Sequence, residues 1–145
     1  MGFSQKCYYA LRAVFELAKA SQGRATKIGE IAERQRIPVK FLESILNELK
    51  RGGFVESRRG NDGGYLLARP ARRVTVGDII RHVEGPLAPV KCEEGRRGCG
   101  HTREECVFWP IWKDAEKALS DVYDGVTFQD LLDRASGPPV ADFTI

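Results

Sequence analysis

Between residues 52 and 67 the chain is punctuated so closely that few folds can accommodate it. Gly52-Gly53 stops an amphipathic pattern, and Phe54-Val55-Glu56-Ser57-Arg58 has the make-up of a short strand. Arg59-Gly60-Asn61-Asp62-Gly63-Gly64 is a turn of residues that tolerate positive φ, and Tyr65-Leu66-Leu67 is a returning strand. A tight hairpin directly after a helix stop is therefore fixed in place, and the segments on either side must pack around it.

Ahead of the hairpin the apolar residues recur at intervals of three and four, the helical period. Tyr8, Leu11, Val14, Phe15, Leu17 and Ala18 share one face of a helix over 4–20, with Ser4 as N-cap and Gly23 just beyond the end. A second helix is expected over 27–36, capped by Thr26, with Ile28, Ile31 and Ala32 inward. Ile37-Pro38 breaks the pattern before a third helix over 39–51 built on Phe41, Leu42, Ile45, Leu46 and Leu49. Two short helices across a tight turn form a helix-turn-helix, and the second turns Lys40, Glu43, Ser44 and Asn47 outward. In that setting the hairpin is a wing. Arg58 and Arg59, beside its flexible glycines, suit contact with a phosphate or entry into a minor groove.

Charge is divided in the same way. Residues 1–73 hold 15 Lys and Arg against 7 Asp and Glu, whereas residues 74–145 hold 8 against 13. Either the basic half is simply a solvated surface or it meets a polyanion, and the helix pair with its wing decides for double-stranded DNA. The acidic half is excluded as the binding face.

Beyond the wing, Thr75 caps a helix over 76–83 that turns Ile79, Ile80 and Val83 inward and ends at Gly85-Pro86. A long helix follows, starting at Cys106 or Phe108 and running to Tyr123. Its stripe of Phe108, Ile111, Trp112, Ala115, Ala118, Leu119 and Val122 is wider than one thin winged domain can cover, which points to a homodimer. A last helix over 127–135 carries Phe128, Leu131 and Leu132, with Val126 just ahead of it. The chain thus divides into a winged helix-turn-helix over 1–73, a cysteine loop with dimerisation helices over 74–135, and a loose tail over 136–145. The fold class is mainly α with a small β-hairpin wing, a winged helix-turn-helix plus a long C-terminal dimerisation helix.

Between the last two long elements lie Cys92, Cys99 and Cys106, each pair separated by six residues, in a segment rich in glycine and charge. Such a segment cannot bury them as small hydrophobes, so they read as thiolate ligands of a metal or an iron-sulfur cluster. No apolar run approaches the roughly 18 residues of a spanning helix, and residues 1–6 lack a signal pattern, so no membrane partner, a cytoplasmic location and reduced thiols are expected. Structural zinc favours close Cys-x-x-Cys pairs, which are absent, so zinc is the lesser alternative to a two-iron or four-iron cluster. A metal-free thiol sensor, with Arg96, Arg97 and Arg103 lowering the thiol pKa values, is another reading. An iron-sulfur electron carrier is an alternative function of a different class. An enzyme is not expected: there is no Walker loop, dinucleotide fingerprint or zincin motif, and there are only two histidines.

These residues resemble a known family. Phe3-Ser4-Gln5-Lys6, Tyr9-Ala10-Leu11-Arg12-Ala13, Phe41-Leu42-Glu43, Gly52-Gly53-Phe54-Val55, Arg59-Gly60 with Gly63-Gly64-Tyr65-Leu66-Leu67, Thr75-Val76-Gly77-Asp78-Ile79-Ile80, Val83-Glu84-Gly85-Pro86 and Trp112 are similar to the bacterial winged-helix regulators often called the Rrf-two family, which include IscR, NsrR and CymR. The resemblance covers most of residues 3–135. It implies a DNA-binding transcriptional regulator, a repressor, that dimerises through its long helix and, in three-cysteine members, holds an iron-sulfur cluster sensing cluster status, redox or nitric oxide.

Two departures are visible. The intervals between the cysteines are one residue longer than in the best-known cluster-binding members, and the position three residues after the last cysteine, a histidine in the IscR-like pattern, is Trp109. A fourth ligand must come from elsewhere. The resemblance implies a donor near the start of the first helix, supplied by the partner subunit, which makes Cys7 a candidate in trans; its other reading is a small buried residue. His101 within the loop is the alternative donor, and His82, on a helix, reads as structural.

Overall fold

A computed structural model describes residues 2–20, 23–90 and 99–137. Six α-helices and one two-stranded antiparallel sheet occur among them, in the order α1 (Gln5–Lys19), α2 (Ile28–Gln35), α3 (Val39–Arg51), β1 (Val55–Arg58), β2 (Gly64–Leu67), α4 (Val76–Glu84), α5 (Trp109–Asp124) and α6 (Phe128–Ser136), with a short 3-10 turn at Ala71–Arg73. This is the mainly helical winged helix-turn-helix with a long C-terminal helix expected from the pattern. Among the described residues, no helix is long and apolar enough to cross a membrane.

Local chemistry sets most of the boundaries. Ser4 caps α1, its hydroxyl accepting from the Cys7 N–H at 3.1 Å. Thr75 and Thr127 each form a full capping box with the aspartate three residues on, Asp78 and Asp130, so α4 and α6 begin alike. The two starts are also joined: Val76 N–H donates to the Val126 carbonyl and Phe128 N–H to the Val74 carbonyl, both at 2.9 Å. α2 ends where Arg36 takes a left-handed conformation, φ 55°. The chain then reverses, with Ile37 buried beneath the turn and Pro38 opening α3.

Two boundaries differ from expectation. Thr26 is not the cap of α2; Lys27 precedes the helix without a side-chain cap. Thr26 instead exchanges two 2.8 Å backbone hydrogen bonds with Tyr65, a bridge that attaches the wing to the approach of α2. The long helix starts at Trp109 rather than at Cys106 or Phe108. Pro110 lies in its first turn, where the missing N–H has no intrahelical acceptor to lose.

One hydrophobic core gathers Ala10, Val14 and Leu17 of α1, Ile31 of α2, Leu42, Ile45, Leu46 and Leu49 of α3, Val55 of β1, and also Val74, Ile79 and Phe128. The core therefore runs across residue 73, and α6 closes it over α1. A smaller cluster joins Cys7, Ile80 and Leu87. By contrast α5 has no fully buried residue, and Phe108, Ile111 and Val122 are exposed along it.

Candidate nucleic-acid interface and cysteine loop

The candidate recognition helix, α3, buries one side so completely that the other must face outward. Leu42, Ile45, Leu46 and Leu49 are in the core, while Lys40, Glu43, Ser44 and Asn47 are all exposed. The Ser44 hydroxyl donates to the Phe41 carbonyl at 2.9 Å, which leaves its lone pairs outward as acceptors. Three contacts hold the far end of α3. Lys6 pairs with Glu48 at 2.7 Å, His82 Nε2 lies 2.8 Å from the Glu48 carbonyl, and Lys50 Nζ donates to Ser57 Oγ at 2.7 Å. His82 is structural, as its place on a helix implied: its ring meets Phe54 edge-on, with centroids 5.4 Å apart.

The wing pairs Val55 with Leu67 through Arg58 with Gly64. Its glycines are steric necessities. A Cβ on Gly63 would lie 2.4 Å from the Arg58 carbonyl oxygen, and one on Gly64, whose φ is 148°, would lie 2.4 Å from that of Thr26. Arg58 and Arg59 are both exposed but differ in role. Arg58 Nη1 donates to the Gly23 carbonyl at 2.6 Å and so braces the wing against the end of the α1–α2 connection, whereas Arg59 makes no hydrogen bond or ion pair among the described residues. Neither the Arg58 brace nor the Lys50–Ser57 contact is visible in sequence spacing, because both depend on how the hairpin folds back.

Of the three loop cysteines, Cys92 lies outside the described residues. Cys106 is partly exposed and sits at the end of a turn stapled by Thr102 and Glu105: Thr102 N–H donates to Glu105 Oε2 at 3.0 Å and Glu105 N–H to Thr102 Oγ1 at 3.3 Å. Cys99 is exposed. Its thiol is drawn below the ordinary range first by the backbone N–H of His101 and then by the imidazole, and the Cys99 sulfur raises His101 in turn. Accessible sulfur of lowered pKa is the donor type that a cluster or a soft metal takes, although among the described residues no three His, Cys, Asp or Glu side chains are gathered into a metal site. Trp109 cannot ligate; it is flanked by the Arg103 guanidinium, 4.7 Å from its ring centre, and Lys113, 5.7 Å away.

Cys7, the candidate donor in trans, is buried within the single chain. It is 0% exposed, packed on Ile80 and Leu87, and its thiol is pushed up to about 11 by burial and by nearby Glu84. The structure places it in the small cluster with Ile80 of α4 and Leu87.

The architecture and the sequence have clear counterparts. A family model described as an iron-dependent transcriptional regulator, Rrf2, matches residues 3–134. A putative HTH-type transcriptional regulator of Neisseria meningitidis serogroup A is 34% identical over 147 residues, spanning 99% of this chain and 98% of the relative. The HTH-type transcriptional regulator IscR of Pectobacterium carotovorum is 32% identical over 142 residues, 98% of this chain and 85% of that one. Among solved structures, T. potens IscR superposes with a TM-score of 0.78 at 32% identity, covering 98% and 93% of the two chains. CymR, the global cysteine regulator of B. subtilis, gives 0.74 at 31%, covering 92% and 97%. With α2, α3 and the hairpin forming a winged helix-turn-helix and relatives of this kind matching nearly the whole length, the chain belongs to the Rrf2 family of bacterial winged-helix, DNA-binding transcriptional regulators.

Proposed function

We propose that this regulator acts as a homodimer whose hold on DNA is set by an iron-sulfur cluster at Cys92, Cys99 and Cys106. The observation that carries the reading is the display of Cys99 and Cys106 as accessible thiols immediately before α5, the helix with the largest unburied apolar stripe. A solvent-facing isoleucine or valine forgoes about 1.5–3 kcal/mol available on burial, so Ile111 and Val122, at 56% and 62% exposed, support a second copy covering this face. Two copies would present two α3 helices to half-sites about one helical turn apart. Lys40, Glu43, Ser44 and Asn47 would face base edges while Arg59 reaches the phosphates or the minor groove, with Arg58 bracing the wing.

When bound, the cluster would supply a redox-sensitive centre whose loss frees its thiolates. The chain's own residues do the rest. His101 lowers the pKa of the Cys99 thiol, the Thr102–Glu105 staple sets Cys106, and the segment from Gly85 links the loop to α4. Glu84, the last residue of α4, accepts from the Ser4 backbone N–H at 2.6 Å and from the Ser4 hydroxyl, so a displaced loop pulls on the start of α1 and, through Lys6–Glu48, on α3. The burial of Cys7 supports a packing role for it, which leaves His101 as the fourth donor already in the loop.

Anaerobically purified protein is expected to be coloured and to contain iron and acid-labile sulfide. Cys106→Ser protein should lose both while keeping its helical circular-dichroism spectrum. Colourless wild-type protein without iron or sulfide, even after anaerobic reconstitution, would overturn the cluster and leave a thiol or zinc sensor, which the depressed pKa of Cys99 also suits.

A further inference from the structure

The polar face of α3 carries one residue out of keeping with it. Val39, the first residue of the helix, is 45% exposed, between exposed Pro38 and exposed Lys40. The other large apolar side chains exposed among the described residues are Phe3 and Tyr8 at the start of α1, Val90, and Val107, Phe108, Ile111 and Val122 in and before α5. None of these belongs to the reading head. Folding gives no reason for a valine here either, since a β-branched residue is a poorer helix former than alanine, lysine or glutamate at an exposed position.

Resting on the reading of α3 as the base-reading helix, we propose that Val39 recognises the C5-methyl group of a thymine in the major groove. The first turn of a recognition helix meets the base edges, and the thymine methyl is the only apolar feature those edges offer. Valine suits that contact because branching at Cβ leaves it few χ1 rotamers, so little side-chain freedom is lost when its methyl groups meet the base. Val39 and Glu43 stand one turn apart on the same face, roughly 6 Å along the helix. If Glu43 accepts from a cytosine amino group, the thymine read by Val39 lies about two base pairs away, given a rise of about 3.4 Å per pair. The pair then reads one apolar and one donor edge.

The test starts from duplexes selected by the full-length protein from a randomised 30-base-pair pool at fixed salt. Each thymine of the selected site is then replaced by deoxyuridine, which removes the methyl group and nothing else. One thymine near the Glu43-dependent cytosine should cost roughly fourfold in affinity, the value of a single methyl group taken from water. In Val39→Ala protein, whose fold is checked by circular dichroism, the same replacement should cost nothing measurable. Deoxyuridine penalties that are the same at every thymine in the two proteins would overturn the role of Val39 alone. A pool that never converges on a sequence would overturn base reading by α3 and Val39 with it.

Discussion

Glu16 is a carboxylate almost without access to water, 1% exposed in the last turn of α1, yet no buried polar side chain among the described residues lacks a partner. Gln35 donates to it at 2.9 Å, Lys19 at 3.2 Å and Arg34 at 3.4 Å, so it fastens α1 to the end of α2. Burial alone would raise its pKa, but the hydrogen bonds from Gln35, Lys19 and Arg34 outweigh it and the net direction is downward. A carboxylate lowered on folding contributes fully above its unfolded pKa and loses that contribution as pH falls through the folded value. Glu16→Gln should therefore cost about 1–2 kcal/mol at neutral pH in denaturant titrations, and the gap to wild type should narrow on acidification; a gap that widens in acid would contradict the assignment. This clamp was not legible in the sequence, since only Lys19 is a helical neighbour and the other two partners are brought in by the turn between helices. Cys7 shows the opposite case. Periodicity alone puts it on the buried face of α1, and only the family comparison draws attention to it as a donor.

At the scale of elements, α1, α3, α4 and α6 were legible because the apolar period stands out at each of them, with a capping residue as well at Ser4 and Thr75. The start of α2 was not, because the fate of Thr26 is decided by Tyr65, a strand residue that only the folded wing brings alongside. That bridge gives Gly64 its importance: any side chain there meets the Thr26 carbonyl and is strained by the positive φ as well. Gly64→Ala should cost about 1–3 kcal/mol and misplace the wing. DNA affinity is expected to fall on the order of tenfold, the equivalent of ~1.4 kcal/mol, while far-ultraviolet circular dichroism stays near wild type. Unchanged affinity would mean that the wing does not contribute to the complex.

For the whole molecule, the division of charge and the apolar stripe of the last long helix were readable in advance, whereas the continuity of the core across residue 73 was not, because Phe128 reaches it from the opposite end of the chain. The proposed dimer predicts that Ile111→Asp, at a position already exposed in the single chain, leaves that chain folded and yields a monomer in sedimentation at micromolar concentration. A dimer that survives the substitution would place the interface elsewhere. One contact between the two halves reaches further. The ring of His82 lies where a Cβ at Gly52 would have to go, 2.6 Å away, and the Glu48 carbonyl and Phe54 keep it there. The end of α3 and the middle of α4 thus share one volume, so a winged head cut after the hairpin fits this α4 only when it carries glycine at position 52. A transplanted head that carries any side chain at position 52 would have to bring its own, smaller residue for position 82, and the natural unit of exchange extends through α4.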